Sequence, residues 1–339
     1  MGRKRLVGVL VGLVLLAGCA GIPTSGPIDR GGRLPVEPRN PGVPFIAEAP
    51  RPGATPVEIV LGFLRANADF RSDHRVARLY LTPTARQAWD PDAGTTVFAG
   101  VPTPDNGTAG SVVVRAQKVA DVDAEGAFLR SPPGATVERA FRLAEVDGQW
   151  RIASLADGLM MSAIDLREAY RQVTLYYLGP SRDVLVPDPV LLAQLPGTTT
   201  QLVSRLLRGP TAGLRGAVGT AFPEGSDLDV AAVPVRGGVA SVQLNGAVLR
   251  ADAEARERMS VQLVWTLRQL GPEIERIRIT VNGEDLLTSG APVEQSRDSW
   301  KTYDPDRVVP GDSLYAARNG AFGRVVSGRW LPLAGPVGK

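Results

Sequence analysis

The chain has 339 residues, 44% of them apolar and 22% charged, which is enough to bury two cores and too apolar for a disordered chain. Its 38 Lys and Arg face 35 Asp and Glu, but Arg3, Lys4 and Arg5 precede an acid-free apolar run; beyond them the two signs balance at 35 each, so the electrostatic signature of nucleic-acid binding is absent. A single histidine, His74, and a single cysteine, Cys19, exclude most imidazole- and thiol-based catalytic sets and any disulfide within the chain.

Residues 1–18 have the layout of a signal peptide, with a basic start, an apolar run and small residues at the cleavage site. The apolar stretch from Leu6 to Leu16, about 13 residues with the small residues that follow it, covers about 20 Å at about 1.5 Å per residue, short of a hydrocarbon core of about 30 Å. Leu16-Ala17-Gly18-Cys19 is the bacterial lipoprotein form of the cleavage site. In that form Cys19 takes an S-diacylglycerol group and, as the new first residue, an N-acyl group. The expected location is the extracytoplasmic face of the cell membrane, with lipid as the anchor. Residues 19–55, rich in proline and glycine, read as a tether that spans up to about 100 Å if extended as polyproline II.

Thr55-Pro56 predicts a helix start, with Val57, Val60, Leu61 and Leu64 at helical spacing. Asp73 to Leu81 and Pro83 to Trp89 read as two short helices. Strands follow at Ser111 to Val119, Ala127 to Leu129, Glu138 to Val146 and Gln149 to Leu155, with turns at Glu125-Gly126 and Asp147-Gly148. Tyr170 to Leu178 opens a second domain as an apolar strand, and a helix from Thr198 closes at Arg208-Gly209. Leu228 to Val235 and Gly238 to Leu244 are expected as paired strands. Ala251 to Leu270 forms a helix with Met259, Leu263, Leu267 and Leu270 on one stripe, and Ile274 to Val281 alternates as a strand that ends at Asn282-Gly283. Ser313 to Arg318 and Ala321 to Val326 flank Asn319-Gly320 as a hairpin. Helices first and antiparallel strands after give an α+β order.

No set of residues carries an obvious chemistry. His74, in Arg71-Ser72-Asp73-His74-Arg75, reads as a solvated residue of a capping turn. Asp121-Val122-Asp123-Ala124-Glu125-Gly126 copies the first half of a calcium loop, but the twelfth position is Pro132, so a hairpin turn is expected. Gly213, Gly216 and Gly219 are not spaced as a dinucleotide fingerprint. Asn106-Gly107-Thr108 is a formal sequon, and Asp304, Asp306 and Asp312 lie among prolines as solvated acids. No catalytic set, metal site or cofactor is expected.

Cys19-Ala20-Gly21-Ile22-Pro23-Thr24-Ser25-Gly26-Pro27 resembles the mature start of the actinobacterial LpqB lipoprotein family. Leu206-Leu207-Arg208-Gly209-Pro210, Ala221-Phe222-Pro223-Glu224-Gly225, Gly238 to Asn245, Trp265-Thr266-Leu267 and Val281-Asn282-Gly283 resemble a GerMN domain. Phe63-Leu64-Arg65-Ala66, Tyr80-Leu81-Thr82-Pro83 and Asp147 to Ile152 are similar to a cone-shaped NTF2-like domain. The resemblance divides the chain into an NTF2-like domain at 56–165, an α/β GerMN domain at 168–290, and a linker with a hairpin remnant of a β-propeller at 291–339. It implies a non-catalytic accessory protein of a two-component sensor kinase of the MtrAB type in envelope homeostasis. The binding partner is then the kinase's extracytoplasmic part or cell-wall material. The alternatives are a small-ligand carrier or enzyme that uses the cone, with Asp69, Asp73, His74 or Tyr80 near its mouth, and a structural spacer. Members of the family continue into the propeller, so a truncated product or a short relative is expected.

Overall fold

The computed structural model describes residues 47–106, 110–286, 288, 291–305, 314–318 and 321–332. Cys19 and most of the expected tether, up to residue 46, lie outside the described residues, as do Gly107 and Thr108 of the sequon, Asp306, Asp312 and the Asn319-Gly320 turn. Two lobes follow Ala47, each with its own apolar core, and then a small sheet.

Thr55 starts the first helix, α1 (Pro56–Ala66), with a capping box in which Glu58 Oε2 accepts from the Thr55 backbone N–H at 2.8 Å. Its apolar face buries Ile59, Val60, Phe63 and Leu64. Two short helices, α2 (Arg75–Arg78) and α3 (Pro83–Ala88), lead to the sheet. Its strands are β1 (Thr95–Asn106), β2 (Ser111–Val122), β3 (Phe128–Arg130), β4 (Thr136–Val146), β5 (Gln149–Ser154) and β6 (Leu159–Ser162), in the order β5-β4-β2-β1-β6 with β3 beside β2. All pairs are antiparallel except β1 with β6.

The face of the sheet turned toward α1 is filled by the protein's own side chains. Phe63 stands edge-on to Trp89 at 5.3 Å and to Phe141 at 6.1 Å, with Ile152, Leu159, Met160 and Met161 fully buried in the same core. Each such side chain stabilises the lobe by about 1.5–3 kcal/mol.

After α4 (Ala163–Ala169), capped by Ser162, the second lobe begins without a loop. It contains β7 (Tyr170–Leu178), β8 (Leu185–Ala193), α5 (Thr198–Leu207), β9 (Val235–Arg236), β10 (Val239–Leu244), α6 (Ala253–Leu267), β11 (Arg276–Val281), β12 (Glu284–Asp285) and β13 (Glu294–Gln295). Strands β10 and β11 are parallel and joined through α6, a βαβ unit. Nine consecutive residues of α6, Met259 to Leu267, are buried, so the helix is enclosed on every side over that stretch, while its first six residues are exposed or half-buried. Two of its polar members, Gln262 and Thr266, are used against the free edge of β7, while Ser260 Oγ has no partner among the described residues. Thr266 Oγ1 accepts from Tyr176 N–H at 3.2 Å, Gln262 Nε2 donates to Tyr176 O at 2.9 Å, and Gln269, just past the helix, both donates to Thr174 O and accepts from Thr174 N–H at 2.8 Å. Two side-chain amides and a hydroxyl thereby occupy the ladder positions that a further strand would take.

The expected strand Leu228 to Val235 is mostly irregular. Leu228 bridges to Leu244, but Ala232 N–H bonds Val230 O at 2.6 Å, and that tight turn leaves only Val235–Arg236 to pair with β10. The last sheet has three strands where a hairpin was expected: β14 (Leu314–Arg318), β15 (Ala321–Val326) and β16 (Arg329–Pro332). Trp330 lies over Gly323 and donates to Ala316 O at 2.9 Å. The other face exposes Tyr315, Phe322, Val326 and Leu331.

Candidate functional site

His74 is not solvated. It is 3% exposed, its ring 4.7 Å from Phe70 and 6.0 Å from Trp89, and its Nδ1 is buried without a hydrogen-bond partner among the described residues. Burial pushes the imidazole below its ordinary value, so it is neutral at pH 7. Ser72, Asp73 and His74 all have φ near +50°, a left-handed turn that starts α2 only at Arg75 and turns the ring inward. The neighbours are committed elsewhere. Asp69 is 4% exposed and accepts from Arg71 Nε at 2.8 Å and Nη2 at 2.6 Å, which holds its carboxyl below the usual range. Asp73 pairs with Arg78 at 2.8 Å. Tyr80 donates to Glu48 O at 2.9 Å. These four residues therefore do not converge on the interior of the sheet, which Phe63 and Phe141 fill.

The calcium-like segment is a structural joint. Asp121 pairs with Lys118 at 2.6 Å, and Asp123 Oδ1 accepts from Ala127 N–H at 2.8 Å to shape the turn between β2 and β3. Glu125 points to Arg215 at 3.0 Å in the second lobe. The three carboxylates face three different partners, and no group of three or more metal-capable side chains occurs among the described residues.

The same turn docks on the second lobe. Leu191 N–H of β8 donates to Gly126 O at 2.8 Å, and Arg205 of α5, 5% exposed, donates from Nε to Glu125 O at 2.6 Å and from Nη1 to Gly209 O at 2.6 Å. Gly126 has φ +86°, and a Cβ there would sit 2.6 Å from Leu191 O, so only glycine fits without a shift. Gln194 completes the joint, its backbone N–H on Ala169 O at 2.7 Å and its Nε2 on Glu168 O at 2.9 Å. Tyr170, at the junction, packs on Phe70 at 5.1 Å and shares a hydrogen bond of 3.1 Å with Thr95. Sequence reading placed the Glu125-Gly126 turn but not its docking, which depends on Arg205 and Leu191, far along the chain.

Gly219 of the glycine series exchanges two backbone bonds with Leu178, at 2.8 and 2.9 Å, and Gly216 supplies a positive φ in the preceding turn. Both roles are structural. Asp304 follows the short helical turn Arg297–Tyr303, its N–H on Lys301 O.

With the two lobes described, their class follows from two domain families. The family described as Lipoprotein LpqB, N-terminal domain, matches residues 49–167, and Germane, described as sporulation and spore germination, matches residues 174–287. Lipoprotein LpqB of Thermobifida fusca is 34% identical over 91% of this chain and 51% of its own length; that of Streptomyces coelicolor is 32% identical over 100% of the chain and 59% of its own length. The chain belongs to the LpqB lipoprotein family and carries a GerMN domain, and it spans about half the length of the curated relatives it matches. Among solved structures, the first GerMN domain of the sporulation protein GerM from Bacillus subtilis is 17% identical, covers 38% of this chain and 98% of that one, and has a TM-score of 0.31.

Proposed function

We propose that the protein is a non-catalytic accessory lipoprotein, held at the extracytoplasmic face of the cell membrane by acyl groups on Cys19, whose two lobes bind the extracytoplasmic part of an MtrAB-like sensor kinase. The observation that carries this reading is Leu16-Ala17-Gly18-Cys19 behind a basic, apolar leader, in a chain related to LpqB lipoproteins. Two or three acyl chains, at about 0.8 kcal/mol per buried methylene, hold a folded body at a bilayer. Asp69, Asp73 and Tyr80 are engaged by Arg71, Arg78 and the Glu48 carbonyl, contacts that serve the fold. In this reading the first lobe is a filled NTF2-like cone and the exposed sheet β14–β16 is the opening of a propeller.

Affinity purification of the full chain from detergent-solubilised membranes is expected to recover the kinase. Recovery equal to a tag-only control contradicts the partner. A structural spacer is the second reading, favoured by the joint at Gly126 and Arg205, which fixes one lobe on the other. An unchanged envelope phenotype after deletion of residues 170–287 favours the spacer.

A further inference from the structure

A cavity of about 600 Å³ lies outside the filled core of the first lobe, between the stretch Ala47–Ala54 and the α1 face that carries Glu58, Gly62 and Arg65. That volume is within the usual range for a small-molecule site. Three contacts hold its walls. The Tyr80 hydroxyl donates to Glu48 O, Gly53 N–H donates to Gln149 Oε1 at 2.8 Å, and the Tyr80 ring rests on Gly62, where a Cβ would come within 2.6 Å of Cε1. The apolar part of the lining is made mostly of small residues: Ala47, Ala49, Pro52, Ala54 and Ile59.

The charges of the lining are unevenly committed. Glu48 is paired with Arg51 at 2.8 Å, and Glu58 is taken by the Thr55 N–H and hydroxyl at 2.8 and 2.9 Å. Arg65, in the last turn of α1, is exposed and has no ion pair or side-chain hydrogen bond among the described residues. One uncommitted guanidinium remains, beside a phenol oxygen that still has lone pairs to accept with. A guanidinium fork matches a carboxylate in a bidentate arrangement, a phenol oxygen suits a peptide N–H, and an apolar lining of mostly Ala and Pro suits small side chains.

We propose that this cavity binds the free carboxyl end of a short peptide with small side chains, Arg65 taking the carboxylate and Tyr80 the last amide N–H. The site is independent of Cys19 and of the kinase.

The test is fluorescence anisotropy of the full chain in detergent, with amino-terminally labelled Ala-Ala-Ala and its carboxyl-terminal amide as probes. The free acid is expected to bind at least about tenfold tighter than the amide, and Arg65→Gln to remove that preference while Arg65→Lys keeps part of it. Arg142→Gln, exposed on β4, is the control and leaves binding unchanged. Unchanged melting temperatures show that the variants fold. Equal affinity for acid and amide, displacement by acetate at the same concentration as by unlabelled peptide, or no binding of either probe overturns the proposal. Each of those results leaves the Cys19 anchor and kinase recovery as they were.

Discussion

The two lobes differ in what their buried polar side chains bond. In the second, helix α6 spends Gln262, Thr266 and neighbouring Gln269 on the edge of β7, so two amides and a hydroxyl substitute for a missing strand. In the first, Asp69 is engaged by Arg71, but two other buried polar residues near the junction each leave an atom unpaired. Asn67 donates to Met160 O at 3.1 Å while its Oδ1 has no partner, and His74 sits in an aromatic box with Nδ1 unpaired. The comparison teaches that side-chain bonds close a sheet edge in the second lobe, even though Ser260 Oγ and Trp265 Nε1 of the same helix have no partner among the described residues, whereas the first depends on aromatic packing around one titratable ring.

The largest expected break is in that packing. Phe63→Ala empties the contact with Trp89 and Phe141 and is expected to cost about 3–5 kcal/mol in urea unfolding, seen first in the first lobe. Gln262→Leu tests the network. It leaves Tyr176 O and Ala221 N–H, bonded to Gln262 at 2.9 and 2.8 Å, without partners, and about 2–4 kcal/mol is expected from the second lobe. Gly126→Val strikes the joint through a positive φ and a clash with Leu191 O. About 2–3 kcal/mol is expected, and the unfolding curve should separate into two transitions; a single unshifted transition would show that the joint does not couple the lobes.

The smallest effect sharpens the contrast. His74 is held below its ordinary value by burial, against the opposing pull of Asp73, Asp92 and Asp69 and with Arg78 adding to the depression. The folded state therefore binds fewer protons than the unfolded chain. Its stability is complete above about pH 6.5 and falls as pH drops toward the folded value, by at most about 1.4 kcal/mol per pH unit. His74→Leu should flatten that slope between about pH 6.5 and 5 in the first lobe, measured by urea midpoints at each pH.

Local signals that agree with their surroundings were legible. Thr55-Pro56 caps α1 as expected, the Met259, Leu263 and Leu267 stripe marks α6, and the Ile277, Ile279 and Val281 alternation marks β11. The two longest missed strands share one feature, which is proline. Strand β1 contains Pro102 and Pro104 and β8 contains Pro187 and Pro189, which speak against a central strand. Most of β1 beyond Phe98 has β2 on one side alone, and β8 pairs only with β7, so both tolerate residues without an N–H. His74 was misread because its polar neighbours in sequence describe a surface, while Phe70 and Trp89, which bury it, come from beyond that window. The joint was invisible for the same reason, since nothing near Gly126 in sequence announces Arg205 or Leu191.

The anchor is the claim on which the functional account rests. Intact-mass analysis of the amino terminus of the protein purified from membranes, compared with Cys19→Ala, tests it directly. The account predicts a wild-type chain that begins at Cys19 with diacylglyceryl and acyl mass added, and a variant that leaves the membrane fraction. An unmodified amino terminus with equal membrane retention of the variant would contradict it.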